Sequence, residues 1–172
     1  GTTGLMDRTL GQLVGNRLFF NECQRDGKRG MNLARYGGMG NHRYGLFFTG
    51  DTGTCWDILR LQVEFNIRAG HVGVSSVSHD MGGFFIATSK LKTNAEDQKI
   101  LDPLLFKRWL QFGVFNPVLR FHSAPGCGSR QPWDYDTAED ASCARWMKVR
   151  NALLPYIYTA AREHFDSGLP LT

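Results

Sequence analysis

Cysteine is scarce in this 172-residue chain, and the four that occur, Cys23, Cys55, Cys127 and Cys143, lie far apart with no Cys-x-x-Cys pair. Such spacing indicates neither a zinc site nor a disulfide framework and predicts free thiols. Runs of one charge are also missing. No stretch of Lys and Arg exceeds two residues, and the net charge of +4 comes from 20 basic and 16 acidic residues scattered along the sequence. A charge this diffuse argues against nucleic acid or an anionic membrane as a partner. No apolar run approaches the roughly 18 residues of a membrane span, and no charged-then-apolar leader opens the chain. Neither a Gly-x-x-x-x-Gly-Lys-Ser/Thr loop nor a strand running into Gly-x-Gly-x-x-Gly occurs, which sets phosphate cradling aside, and no metal or cofactor is expected. Low-complexity segments and internal repeats are absent. The chain begins at Gly1 without an initiator methionine, which suggests an excerpt from something longer.

What is present is a globular composition, 42% hydrophobic and 12% aromatic, enough for a core of one-domain size. Strand-like and helix-like pieces alternate. Asp7 to Asp26 carries Leu10, Leu13, Val14, Leu18 and Phe19 at helical spacing and ends at Asp26-Gly27. Gly30 to Ala34 reads as a strand delivering Arg35 to a loop containing Gly37, Gly38 and Gly40, and Tyr44 to Thr49 as a second strand ending at Asp51. Trp56 to Ala69 follows as a helix with Ile58, Leu59, Leu61, Val63, Phe65 and Ile67, stopped by Gly70. Val72 to Val77 predicts a third strand ending in Ser78-His79-Asp80, Pro103 to Phe115 a helix, and Pro117 to Phe121 a fourth strand delivering His122. The last helix is expected over about Ala138 to His164, kinked or split by Pro155.

Four strands, each followed by a helix, predict an α/β fold of four parallel βα units, and a polar residue just beyond each strand is the pattern of a barrel's C-terminal face. Arg35, Asp51, Asp80 and His122 would then point to one side. An aspartate at a strand end is also a common turn former or helix cap, so each residue alone carries little. Four strands cannot close a barrel of eight, and both sheet edges would be left unpaired. Strand alternation turns His79 and Arg120 away from Asp80 and Phe121, which favours supporting roles for them.

Read together, "RYGGMGNHRYGLFFTGDTGTCWDIL", "SHDMGGFF", "RWLQFGVFNPVLRFHS" and "RQPWDYD" resemble the C-terminal half of the catalytic (β/α)8 barrel of glycoside hydrolase family 31, which includes α-glucosidases and α-xylosidases. The resemblance runs from about Gly27 to Thr172 and implies residues 1–172 as one partial barrel, whose other partner is the remainder of that barrel. It implies a retaining α-glycosidase acting on terminal α-linked glucose or xylose of oligosaccharides or glycosides, with Asp51 as general acid/base. Arg35, sixteen residues before Asp51, matches a substrate-contacting arginine, Asp80 and His122 match sugar-binding positions, and Phe84 matches an aromatic wall, with ordinary core packing as its other reading. Phe48 stands where many members place an aromatic before the acid/base motif. Trp56, Trp109, Trp133 and Trp146 read as packing residues, with Trp133, in the loop after His122, the one with a subsite as its other reading.

The departures from the family are equally specific. Ser76 and Val77 replace a frequent pair of tryptophans, and the polar stretch between Phe85 and Leu101 is long enough to make a lid or a contact surface. No Trp-x-Asp-Met-Asn-Glu-like nucleophile motif occurs, so the chain alone is expected to be inactive. A non-catalytic carbohydrate-binding or degenerate protein, and a transglycosylase, remain alternatives.

Overall fold

The computed structural model describes residues 3–35, 38, 40–87 and 90–171, with the backbone alone for 3–9. Gly37 of the Arg35 loop, and Thr88 and Ser89 of the polar stretch after Phe85, lie outside the described residues. In chain order the elements are α1 (Thr3–Cys23), β1 (Leu33–Ala34), a 3-10 turn (Asn41–Arg43), β2 (Leu46–Phe48), β3 (Gly53–Thr54), α2 (Trp56–His71), β4 (Val77–Asp80) and β5 (Phe85–Ile86). There follow β6 (Lys92–Thr93), β7 (Lys99–Ile100), α3 (Pro103–Gly113), β8 (Val118–Arg120), a second 3-10 turn (Pro132–Tyr135) and α4 (Ser142–Ser167).

β1, β2, β4 and β8 form one parallel sheet in that order, but only a 3-10 turn separates β1 from β2, so β1 lacks the following α-helix that four βα units call for. The register pairs Phe48 with Ser78, Ser78 with Val118, and Asp80 with Arg120. Paired residues on parallel strands face the same way, so Phe48, Ser78, Asp80 and Arg120 share one face, and Thr49, His79 and Leu119 share the face toward the helices.

α3 is the pillar of the core. Asp102 caps it by accepting the backbone N–H groups of Leu104 and Leu105, with Pro103 in the first turn where no amide partner is needed. Of its buried stripe, Leu105, Phe106, Trp109, Leu110 and Gly113, the four apolar side chains divide between two clusters. One holds Ile100, Leu101, Val114, Tyr135 and Cys143, with the Phe106 and Tyr135 rings stacked at 3.7 Å; the other holds Leu59 and Met81.

Several boundaries differ from the sequence reading, each for a local reason. The first helix ends at Cys23 rather than Asp26, and Gly27, at φ 71°, closes the turn that follows. Gly70 does not stop α2, which runs on to His71. Residues 72–76 are the exit from that helix, not strand: the Val72 and Gly73 amides still bond back to Ala69 and Gly70, and β4 starts only at Val77. The last helix begins at Ser142 instead of Ala138, because the Asp136 carboxylate accepts the N–H groups of Cys143 and Ala144 at 2.8 and 2.9 Å. Pro155 does not split α4, which continues to Ser167. All four cysteines are free thiols, as their spacing predicts.

α2 reverses the expected burial. Leu61, Val63, Phe65 and Ile67 are exposed, whereas Gln62 and Asn66 are buried with Leu59 and Ala69. The apolar residues alternate and so spread around a 3.6-residue helix; positions 59, 62, 66 and 69 make the coherent stripe. Asn66 donates to Asn116 Oδ1 at 2.9 Å, which leaves its Oδ1 to accept from His79 Nε2 at 2.8 Å, and Thr49 Oγ1 then donates to Nδ1 at 3.1 Å. His79 is fully buried here, and burial lowers its pKa to about 4.

Three loops are stitched above the strand ends. Phe84 donates its N–H to Thr52, Ala124 donates to Phe84, and the buried Arg130 donates to the carbonyls of Gly83, Cys127 and Gly128. Gly83, at φ 85°, passes so close to β3 that a Cβ there would lie 2.8 Å from both Gly53 O and Thr54 Oγ1.

Two outcomes follow from this packing. His79 is neutral when folded and takes a proton at pH 6.5 when unfolded. Its contribution is therefore complete above pH 6.5 and is lost as pH falls toward 4, by about 3 kcal/mol; urea melts across that range should show the loss, and His79→Gln should flatten it. Gly83→Ala should cost about 2 kcal/mol in the same melts, since both its φ and its neighbours oppose a side chain.

Candidate active site

Asp51 stands on the turn that leaves β2, exposed at the rim. Gly50, at φ 78°, makes that turn, and the Arg35 side chain lies across it, its Nε 3.3 Å from where a Cβ would sit. Arg35 Nη2 reaches Asp51 Oδ2 at 3.3 Å, with both side chains partly open to solvent. One guanidinium nitrogen thus stands in ion-pair contact with an accessible carboxylate.

A second group stands on the neighbouring strand ends. Asp80 is fully buried, and its Oδ1 accepts from Arg120 Nη2. Burial raises the Asp80 pKa; the charges of Arg120 and His122 oppose that, and Asp51 adds to it. The Arg120 guanidinium lies over the Phe48 ring, 4.7 Å from its centroid. The Phe84 and His122 rings sit 5.4 Å apart, His122 exposed and Phe84 half-buried. Phe84 is therefore rim rather than core. All six residues singled out by sequence lie on the same end of the sheet, in pairs: Arg35 with Asp51, Phe84 with His122, and Asp80 with Phe48 through Arg120.

Arg120 and Arg130 are the residues that sequence reasoning undervalued. The alternation that separates Arg120 from Phe121 turns Arg120 into the site, beside Asp80, while Phe121 packs toward the core. Its place two residues before His122 was a usable signal, because residues two apart share a strand face. Arg130 left no such signal: it lies in a loop, and only the fold shows its guanidinium closing on carbonyls. Trp133 is exposed and lines a separate groove of about 470 Å³ with Phe121, Arg130 and Met147, on the β8 side. The stretch after Phe85 forms the antiparallel β6–β7 hairpin, which leans on the neighbouring loop through Asn94 to Asp134 O and Leu101 N–H to Tyr135 Oη. Among the described residues no three His, Cys, Asp or Glu gather around a metal position, and no helix is long and apolar enough to cross a membrane.

The comparisons with known proteins agree with this arrangement. Residues 10–160 match the model of the glycosyl hydrolases family 31 TIM-barrel domain. The chain is 31% identical over 146 residues to alpha-glucosidase 2 of Bacillus thermoamyloliquefaciens, covering 85% of itself and 17% of that protein. It is 30% identical over 142 residues to the alpha-xylosidase of Saccharolobus solfataricus, covering 82% and 18%. The alpha3-Glc2-bound crystal structure of the glucosidase II alpha subunit superposes with a TM-score of 0.79 at 26% identity, covering 94% of this chain and 16% of that one. The chain thus spans less than a fifth of the length of these relatives. With its parallel sheet, its rim of paired polar residues and this match over most of its length, the chain belongs to glycoside hydrolase family 31 and has the fold of an incomplete (β/α)8 barrel.

Proposed function

We propose that residues 1–172 are the acid/base-bearing part of the catalytic barrel of a retaining α-glycosidase that releases terminal α-linked glucose or xylose. The observation that carries this reading is the accessible Asp51 carboxylate, in ion-pair contact with Arg35 at 3.3 Å and set beside the Asp80, His122 and Phe84 group. A retaining enzyme needs one carboxyl to protonate the departing oxygen and later to take a proton from water, and a second carboxylate to attack the anomeric carbon. Asp51 has the exposure and the oriented geometry for the first task. Asp80 is unsuited to the second, being buried and already paired with Arg120. The nucleophile is therefore assigned to a barrel strand outside this sequence. Arg35 and His122 bind the glycone, Phe84 and Phe48 offer their ring faces to its C–H surface, and Asp80 is the buried anion beneath them.

In a full-length family 31 enzyme carrying this segment, Asp51→Asn should lower kcat on unactivated α-glucosides by about 10²- to 10⁴-fold, the usual contribution of a proton donor. Aryl glucosides with good leaving groups should lose far less in the bond-breaking step. Equal rates for mutant and parent on the unactivated substrates would remove Asp51 from the role. The 172-residue chain by itself should show no turnover.

A further inference from the structure

Asp80 is the residue whose motif points to sugar binding, yet neither of its carboxylate oxygens is open to a sugar. The residue has no exposed surface, although the sheet around it is open at both edges. Oδ1 accepts from Arg120, and Oδ2 is buried with no hydrogen-bond partner among the described residues. Arg120, in contrast, keeps 25% of its side-chain surface. Its guanidinium is fixed on two sides, by Asp80 at Nη2 and by the Phe48 ring beneath its plane. Nε is turned inward and buried, so the donors left for the open edge are on the two Nη nitrogens. The pair is also set by backbone, since Asp80 and Arg120 are register partners on adjacent strands.

An ion pair that leaves two buried polar atoms unsatisfied is a poor stabiliser, because the desolvation of both charges is only partly offset by their attraction. An apolar pair of similar size would serve the fold better. What the arrangement does provide is a guanidinium held still at the site's floor beside an aromatic face, which suits the hydroxyl oxygens and C–H surface of a pyranose.

We propose that Arg120 is the residue that meets the glycone at this point, and that Asp80 is its positioning residue, acting on the sugar only through the guanidinium. The inference rests on the glycosidase reading and refines it, since it replaces a carboxylate acceptor with a guanidinium donor at the floor.

Two experiments decide it. On the chain as it stands, ¹⁵N NMR of the arginine side chains should show a slowly exchanging Arg120 Nε–H that is lost in Asp80→Asn; an unaltered signal would overturn the anchoring. In a full-length family 31 enzyme carrying this segment, Arg120→Met and Asp80→Asn should each raise KM for 4-nitrophenyl α-D-glucopyranoside by about tenfold, the loss of one charge-assisted hydrogen bond. Arg120→Lys should fall between Arg120→Met and the parent. The double variant Asp80→Asn/Arg120→Met should be no worse than Arg120→Met alone, because a residue that acts through another has nothing left to contribute once that other is gone. A double variant in which the two losses multiply would place Asp80 directly on the sugar, and a KM untouched by Arg120→Met would remove Arg120 from it; either result overturns the proposal. The double variant leaves no unpaired buried charge, so the comparison with the parent stands even where a single variant fails to fold. No turnover from any form would sink the glycosidase reading, with the NMR result still deciding the anchoring.

Discussion

The burial of β4 on both faces is the constraint from which the rest of the molecule follows. All four of its residues, Val77 to Asp80, are buried, and it lies between β2 and β8 in the sheet. A strand in that position must satisfy two environments with alternate side chains. His79 goes to the helices and becomes the hub of a polar contact with Asn66 and Thr49, while Ser78 and Asp80 go to the other face and begin the site. A one-residue slip would exchange the two sets, placing the carboxylate against Phe112 and the imidazole against Arg120. Core and site are thus two consequences of one register.

Polar groups rather than apolar ones fix much of the interior. Asn66 links α2 to Asn116 and His79, and Arg150 on α4 donates to the carbonyls of Val114 and Pro117, tying that helix to the turn before β8. Arg130 does the same for the rim loops. Each guanidinium offers several donors in a fixed plane and so holds several carbonyls at once, where an apolar contact would hold surfaces but not directions. The site gains from this: Phe84 stands just beyond the Gly83 carbonyl that Arg130 grips, and its own carbonyl accepts the Ala124 N–H, so the Phe84 and His122 faces are presented by a braced loop.

Much of the apolar surface lies outward. Leu10, Val14, Leu18 and Phe19 on α1, and Tyr156, Tyr158 and Phe165 on α4, are more than half exposed. The core of buried side chains concentrates instead around α3, whose two clusters reach β4 through Met81 and the second 3-10 turn through Tyr135. The centre of the sheet and the loops above it are therefore the best-supported part of the chain, and that is where the paired polar residues stand.

The sequence by itself determined the order of the four sheet strands and the four helices, the parallel sheet, the family, and which end of the sheet carries Arg35, Asp51, Asp80 and His122, but not the short β3–β5 and β6–β7 pairs. Those features are local: strand runs end at glycine and aspartate, Asp102-Pro103 opens a helix, and motif spacing is written along the chain. Only the tertiary structure decided which face of α2 is buried, because Gln62 and Asn66 are held there by Thr52, His79 and Asn116, partners from other elements. It also decided that Asp136 sets the start of α4, that Arg130 closes the rim, and that Asp80 lies under Arg120 and not at the surface. Each of these rests on a hydrogen bond or ion pair between residues remote in sequence or set by loop geometry. Such pairings depend on strand register and loop path, which a one-dimensional pattern of residue types does not contain.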